Sequence, residues 1–141
     1  MLKNIPEIIS PELMKRLMEM GHGDELIIAD GNYPAHSQGV PVVRADGHDV
    51  ASFLQAILPF FPLDSYSEKS VGLMEVVKGD TVVPVIWDTY KEILRKNGYE
   101  KSVIGEIERF AFYERSKKAA LIIATSDRAL YGNILLKKGV V

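Results

Sequence analysis

Gly21-His22-Gly23-Asp24-Glu25-Leu26-Ile27-Ile28-Ala29-Asp30 is the stretch on which the reading of this chain turns. Upstream of it, Ser10-Pro11-Glu12 starts a helix with a hydroxyl cap, a proline at the first helical position and an acid in the first turn. Leu13, Met14, Leu17 and Met18 recur at helical spacing, and Gly21 is expected to supply the left-handed stop. Leu26 to Ala29 is then an apolar strand signal that ends on the carboxylate of Asp30. A helix that passes through a glycine corner into a strand is a unit of layered α/β architecture. The corner also holds a histidine between two glycines, which is more open to a ligand than a histidine on an apolar helix face.

The same alternation continues outward. A polar turn over 31–39 carries Gly31, Asn32, Pro34 and Gly39, and Val40, Val42 and Val43 form a second strand signal. Asp49 is placed to cap a helix through Phe53, Leu54, Ile57 and Leu58, which Pro59 and Pro62 stop. Leu73 to Val77 reads as a short buried strand, and Pro84 opens a helix through Ile86, Tyr90, Ile93 and Leu94 that ends at Asn97-Gly98. Val103, Ile104 and Ile107 fit either a strand or a first helical turn. Phe110 to Lys118 reads as a helix, with Glu114 four residues before Lys118 as a favourable pair. Ala120–Ala124 and Ile134–Leu136 read as strands. The expected fold is a three-layer α/β/α single domain, residues 1–141, around a mixed and largely buried sheet.

Composition removes several function classes. At 141 residues with 47% apolar side chains the chain can bury a real core. The absence of Cys excludes disulfides, thiolate metal sites and a cysteine nucleophile. A net charge of −2 argues against nucleic acid, since neutralising phosphates needs a basic surface. No apolar run is long enough to span a membrane, and no basic stretch leads an apolar signal core at the N-terminus, so a cytoplasmic protein is expected. His22, His36 and His48 have no helical metal-ligand spacing, so no metal is expected.

His22 is the leading candidate for chemistry, because histidine titrates near neutral pH. Placed just beyond a helix end, it lies in a partial negative charge that favours an imidazolium, as a proton donor requires. A histidine there also serves simply as a cap on the last helical carbonyls. The other polar candidates have equally plain alternatives. Asp30 can cap the following turn through an Asx bond. Arg109 can pair with Glu106 or Glu108 in solvent. Tyr113 fits a core position, Tyr131-Gly132-Asn133 fits a turn, Asp88 and Glu92 fit a solvated helix face, and Lys137-Lys138 is too short for a polyanion patch.

Taken in order, Gly21-His22-Gly23-Asp24, Asp30, Pro34-Ala35-His36, Arg44-Ala45-Asp46-Gly47, Leu63-Asp64-Ser65-Tyr66, Arg109-Phe110-Ala111-Phe112-Tyr113-Glu114-Arg115 and Tyr131-Gly132-Asn133-Ile134-Leu135-Leu136-Lys137-Lys138-Gly139 resemble the sugar mutarotase family that includes L-fucose mutarotase and D-ribose pyranase. The resemblance covers nearly the whole chain and is to the fucose branch. It implies interconversion of the α and β anomers of a reducing sugar with no cofactor and no metal. It places the proton donor on His22 and substrate contacts on Asp30, Arg109, Tyr131 and Asn133. Animal-type relatives would add Asp64 and Tyr113 as catalytic positions and Met74 as a lining residue. Ribose-type relatives carry a histidine at the position of Arg109. The resemblance further implies ring-shaped homo-oligomers, often decamers, with the active site near subunit contacts. The chain departs from the commonest pattern at Asp30-Gly31-Asn32-Tyr33-Pro34, where Gly31 is expected to loosen the turn carrying Asp30.

The residue types suit that chemistry. Mutarotation protonates the ring oxygen while a second group takes the anomeric hydroxyl proton, and closure on the other face reverses both transfers. Positioned acid–base groups contribute roughly 10²–10⁴-fold, enough for a reaction that already proceeds in water. A carboxylate and a guanidinium answer the donor and acceptor needs of a polyol. Two other readings fit the same residues: a ribose-type pyranase, and a non-catalytic sugar-binding accessory protein. The binding protein would keep Asp30, Arg109 and Asn133 but gain little from an ionisable His22.

Overall fold

The structure is a computed structural model that describes all 141 residues. Helix α1 (Pro11–Glu19) starts where the sequence placed it: Ser10 Oγ accepts from the Leu13 amide at 3.1 Å. It ends differently. Met20, with extended backbone, stops the helix, and the left-handed residue is Gly23 at φ 87°, not Gly21. The Gly23 conformation lets its amide donate to the Lys138 carbonyl at 2.8 Å and steers the chain into strand β1 (Glu25–Ala29).

A 3₁₀ turn over Ala35–Gln38 leads to β2 (Val42–Ala45), and Asp49 caps α2 (Val50–Ile57) through the Ser52 amide at 2.7 Å. Strand β3 is Val71–Met74, shorter than the apolar run predicted over 73–77. Glu75 still donates to the Ile107 carbonyl, but the Val77 amide turns away to the Tyr131 hydroxyl, which peels the chain off the sheet. Helix α3 (Ile86–Lys96) follows Pro84. The open segment at 103–107 resolves as a short 3₁₀ turn and strand β4 (Ile104–Ile107), paired in parallel with β3. Helix α4 (Arg109–Ser116), β5 (Leu121–Thr125) and β6 (Ile134–Lys137) complete the chain. On α4, Glu114 pairs with Lys117 rather than Lys118.

The six strands form one mixed sheet in the order β2-β5-β1-β6-β3-β4, in which β6 alone runs antiparallel. Side chains alternate between two cores, as strand geometry requires. Leu26, Ile28, Leu121, Ile123, Ile134 and Leu136 meet α1, α2 and α3 through Leu13, Leu54 and Leu94. Ile27, Ala29, Ile122 and Leu135 meet Phe112 of α4 and Ala35 of the 3₁₀ turn. These are the three layers expected. No helix is long and apolar enough to cross a membrane.

This topology gives the sheet two chemically distinct edges. The carboxyl ends of the five parallel strands and the start of β6 share one edge, where Asp30, Met74, Arg109 and Asn133 emerge. The opposite edge gathers residues 21–24, the end of β6, and Leu63, which bridges Lys138.

Candidate functional site

At the carboxyl edge, Asp30 and Asn133 are both buried, and the Asp30 amide donates to Asn133 Oδ1 at 2.8 Å. Asp30 Oδ1 accepts from the Asn32 amide at 2.9 Å, so the Asx turn allowed by the sequence is present as part of the site. Gly31 does not loosen this turn. Its amide donates to the Asp127 carbonyl at 2.8 Å, and a Cβ there would lie only 3.1 Å from that oxygen. Burial pushes the Asp30 carboxyl above its ordinary range, with nearby Asp127 adding to the rise. Backbone donors from Asn32, Gly132 and Tyr33 oppose it.

Tyr131 holds a left-handed backbone, φ 58°, uncommon for a bulky residue. The surrounding hydrogen bonds fix it: Trp87 Nε1 donates to the Tyr131 carbonyl at 2.9 Å, and the buried Tyr90 hydroxyl donates to the Gly132 carbonyl at 2.5 Å. Strain of this kind persists only where neighbours over-determine it, which is characteristic of ligand sites. The Tyr131 hydroxyl donates to Asp80 Oδ2 at 2.6 Å and accepts from the Val77 amide at 3.2 Å.

Arg109 opens α4 and makes no ion pair with Glu106 or Glu108. Glu108 instead caps the helix through the Phe110 and Ala111 amides, which hold its carboxyl below the usual range. The exposed Arg109 guanidinium lies 5.7 Å from the ring centres of both Phe110 and Tyr113. It faces a cleft of about 520 Å³ between residues 75–78 and 108–110. Tyr113 is half-buried, its ring 5.6 Å from that of Tyr33, while Met74 lies in the smaller core below. Tyr33 itself is locked to buried Ser116, and burial pushes its phenol up to about 12.

The other two expected residues stand at the opposite edge. His22 does not cap α1: its Nε2 lies 3.1 Å from Asp64 Oδ1, and its ring centre is 5.4 Å from that of Tyr66. The His22 side chain is 46% exposed, whereas Asp64 is 2% exposed. Asp64 also accepts from Ser67 Oγ at 2.6 Å and the Tyr66 amide at 3.1 Å, and Lys137 Nζ stands 3.6 Å away. These donors, the Ser67 hydroxyl foremost, hold the Asp64 carboxyl well below the usual range. An ionised carboxylate is acceptor-only, so His22 Nε2 must carry the hydrogen between them. That leaves Nδ1 with no hydrogen bond within the chain.

Five expected site residues therefore share the carboxyl edge, Met74 at the end of β3 is buried in the core beneath it instead of lining the site, and His22 and Asp64 share the other edge. Strand β1 separates His22 from Asp30. Its five residues alone span about 17 Å at the usual rise, much more than a monosaccharide. No group of three or more His, Cys, Asp or Glu side chains converges to hold a metal. The site residues that sequence reading missed are Asp80, Trp87, Ser67 and Lys137. Lys137 carried a signal, a lysine closing an otherwise apolar strand, but was read only as half of a short basic pair. Asp80 lies in a turn behind Gly79, where an aspartate is ordinary.

The RbsD / FucU transport protein family matches residues 3–141. A fucose mutarotase from Streptococcus pneumoniae, solved in complex with L-fucose, is 50% identical, with a TM-score of 0.96 and 99% of each chain covered. FucU from Bifidobacterium longum is 52% identical, with a TM-score of 0.95 and 99% of each chain covered. RbsD from Bacillus subtilis, complexed with D-ribose, shares the fold at a TM-score of 0.76. It is 21% identical, over 100% of this chain and 99% of its own.

Proposed function

The chain belongs to the RbsD / FucU transport protein family, and from that membership we propose that it is an L-fucose mutarotase, an isomerase that exchanges the α and β anomers of L-fucose and similar pyranoses by cofactor-free acid–base catalysis. The observation that carries this reading is the likeness, at 50% identity over 99% of both chains, to a fucose mutarotase that holds L-fucose.

We assign the two carboxylates from their environments. Asp64 is held low by its donors and stays an acceptor that orients His22, whereas Asp30 is pushed up by burial and is the better proton acceptor. His22 Nδ1–H delivers a proton to the ring oxygen as the C1–O bond breaks, while Asp30 takes the anomeric hydroxyl proton. Ring closure on the other face returns both protons. Asn133 fixes the backbone of Asp30, and Arg109 offers its donor fork to neighbouring sugar hydroxyls. Tyr113 packs beside Arg109.

Since β1 holds His22 and Asp30 at opposite edges, one sugar meets both only when the carboxyl edge of one copy faces the His22 edge of another. We therefore place the complete site between copies of this chain in a homo-oligomer. The test is saturation-transfer NMR on the anomeric protons of reducing sugars, L-fucose and D-ribose among them, as protein is added. Anomer exchange that rises with protein concentration, fastest on L-fucose, is the expected result. Sugar binding without accelerated exchange would refute the enzyme and leave a binding protein. Preference for D-ribose would place the chain with the pyranases.

A further inference from the structure

The segment between β3 and α3 has no regular structure, yet it is fastened at one point. The Val77 amide and the Asp80 carboxylate both close on the Tyr131 hydroxyl, at 3.2 and 2.6 Å. Within the segment, the Asp80 amide donates to the Val77 carbonyl at 2.9 Å, and Asp80 Oδ1 accepts from the Val82 amide at 3.0 Å. Gly79, at φ 89°, makes the turn between them. Asp80 thus ties a stiff local turn to the same tyrosine whose strained backbone adjoins Asn133 and Asp30. The cleft that Arg109 faces is walled by residues 75–78 of this segment.

A tyrosine hydroxyl has one hydrogen to donate and two lone pairs to accept with. Here the hydrogen goes to Asp80 and one lone pair takes the Val77 amide. One lone pair and the ring face are left for a ligand.

We propose that Asp80 is a positioning residue of the sugar site: by taking the Tyr131 hydrogen bond it clips the 75–85 segment over the carboxyl edge and leaves Tyr131 to act as an acceptor and ring surface for the sugar, not as a proton donor. The proposal rests on the mutarotase reading for its sugar, but its structural half stands apart from it. Asp80 touches no reacting atom in this account and acts only through Tyr131.

The experiment compares Asp80→Ala, Asp80→Asn, Tyr131→Phe and the double variant Asp80→Ala/Tyr131→Phe. Amide hydrogen exchange at Val77 and Val82 is measured without sugar, and kcat and KM are measured for L-fucose anomer exchange. Asp80→Ala is expected to speed exchange at both amides and to raise KM about three- to tenfold, the scale of one lost hydrogen bond, with kcat little changed. Tyr131→Phe in the Asp80→Ala background should add little to the amide-exchange effect, because the partners act as a unit in the clip, while its lost sugar contact raises KM further. Asp80→Asn, whose single amide oxygen still accepts from Tyr131 while its NH2 faces the Val82 amide, should restore KM and slow exchange at Val77 but not at Val82. If the alanine variant does not fold, Asp80→Asn against Tyr131→Phe carries the comparison. Unchanged amide exchange at Val77, amide-exchange effects that multiply in the double variant, or a fall in kcat at constant KM in Asp80→Ala would each overturn the proposal. If the unaltered protein does not exchange L-fucose anomers, the mutarotase reading fails, and the amide exchange alone decides whether Asp80 is the clip.

Discussion

Gly139→Ala tests the link between backbone packing and the proton donor. A Cβ at Gly139 would lie 2.6 Å from the Leu63 carbonyl oxygen and 2.8 Å from Asp64 Cα, both backbone atoms with no rotamer to yield. Ordinary contact begins near 3.4 Å, so the segment carrying Asp64 must retreat by about 0.8 Å. That segment is held to the end of β6 by Gly139 donating to Pro62 at 2.8 Å and Asp64 donating to Lys137 at 3.0 Å. A retreat of that size takes the 3.1 Å bond between His22 and Asp64 beyond hydrogen-bonding range. The fold should survive, since overpacking of this kind costs about 1–3 kcal/mol. Catalysis should not, because misplacement by about 1 Å costs on the order of 10²-fold. The assay is L-fucose anomer exchange by saturation-transfer NMR, with thermal unfolding run alongside. Gly72→Ala is the comparator. Its Cβ would lie 2.5 Å from Ile107 Cδ1, the free end of a side chain that can rotate away, so anomer exchange should change little. A folded Gly139→Ala protein with unaltered exchange, or equal losses in both variants, would refute the reasoning.

His22→Ala should keep the fold and lower anomer exchange by about 10²-fold or more, the contribution of a general acid. Mixing dissociated and reassembled His22→Ala with Asp30→Asn should restore up to about a quarter of the native sites if the two residues come from different copies, and none if they come from one. Arg109→His should weaken exchange of L-fucose more than of D-ribose, since it replaces a fixed donor fork by a single contact; equal losses would assign Arg109 to the fold. Burial raises the Asp30 carboxyl above its unfolded value, so the folded state binds the extra proton between the two values, and stability falls as pH rises through that window. Asp30→Asn should therefore melt higher than the unaltered protein near neutral pH and lose that advantage below the ordinary carboxylate range, while anomer exchange is abolished. Dialysis against a strong chelator should leave exchange intact; loss restored by one divalent ion would show that a metal site had been misread.

What was legible in the sequence follows the range of the forces involved. Ser10 and Asp49 act within three residues, so their caps could be read directly. The apolar runs at 26–29, 121–124 and 134–136 are buried on both faces and named their strands. The helix α1 ends within one residue of its expected bound, but the left-handed residue is Gly23 and not Gly21; both glycines could supply it, and the choice falls to the Lys138 carbonyl, over a hundred residues away, which accepts from Gly23. The same distance hid the partner of His22. Nothing near residue 22 shows that its ring meets Asp64, so the helix end was credited with a role that a remote carboxylate fills. Gly31 illustrates the reverse error: the sequence suggests glycine freedom where the Asp127 carbonyl takes the Gly31 amide and would stand only 3.1 Å from a Cβ.

The opposite placement of the two halves traces to a single strand. β6 is the one antiparallel member of the sheet, so it begins at the carboxyl edge and ends at the other. Asn133, just before it, fixes Asp30, while Lys137, at its end, stands over Asp64 and donates to Ser67 at 2.8 Å. One short element therefore supports both the proposed proton acceptor and the mounting of the proposed proton donor, without bringing them together. If one copy offers the acceptor edge and the next the donor edge, the contact joins two different surfaces. A two-fold pair can make that contact twice, reciprocally, whereas a head-to-tail contact continues from copy to copy and ends only where the rotation closes into a ring. The ring assemblies implied by the family resemblance are thus one arrangement that would complete the proposed site, divided as it is by β1. Loss of the assembly should remove catalysis even where every residue of the site is intact.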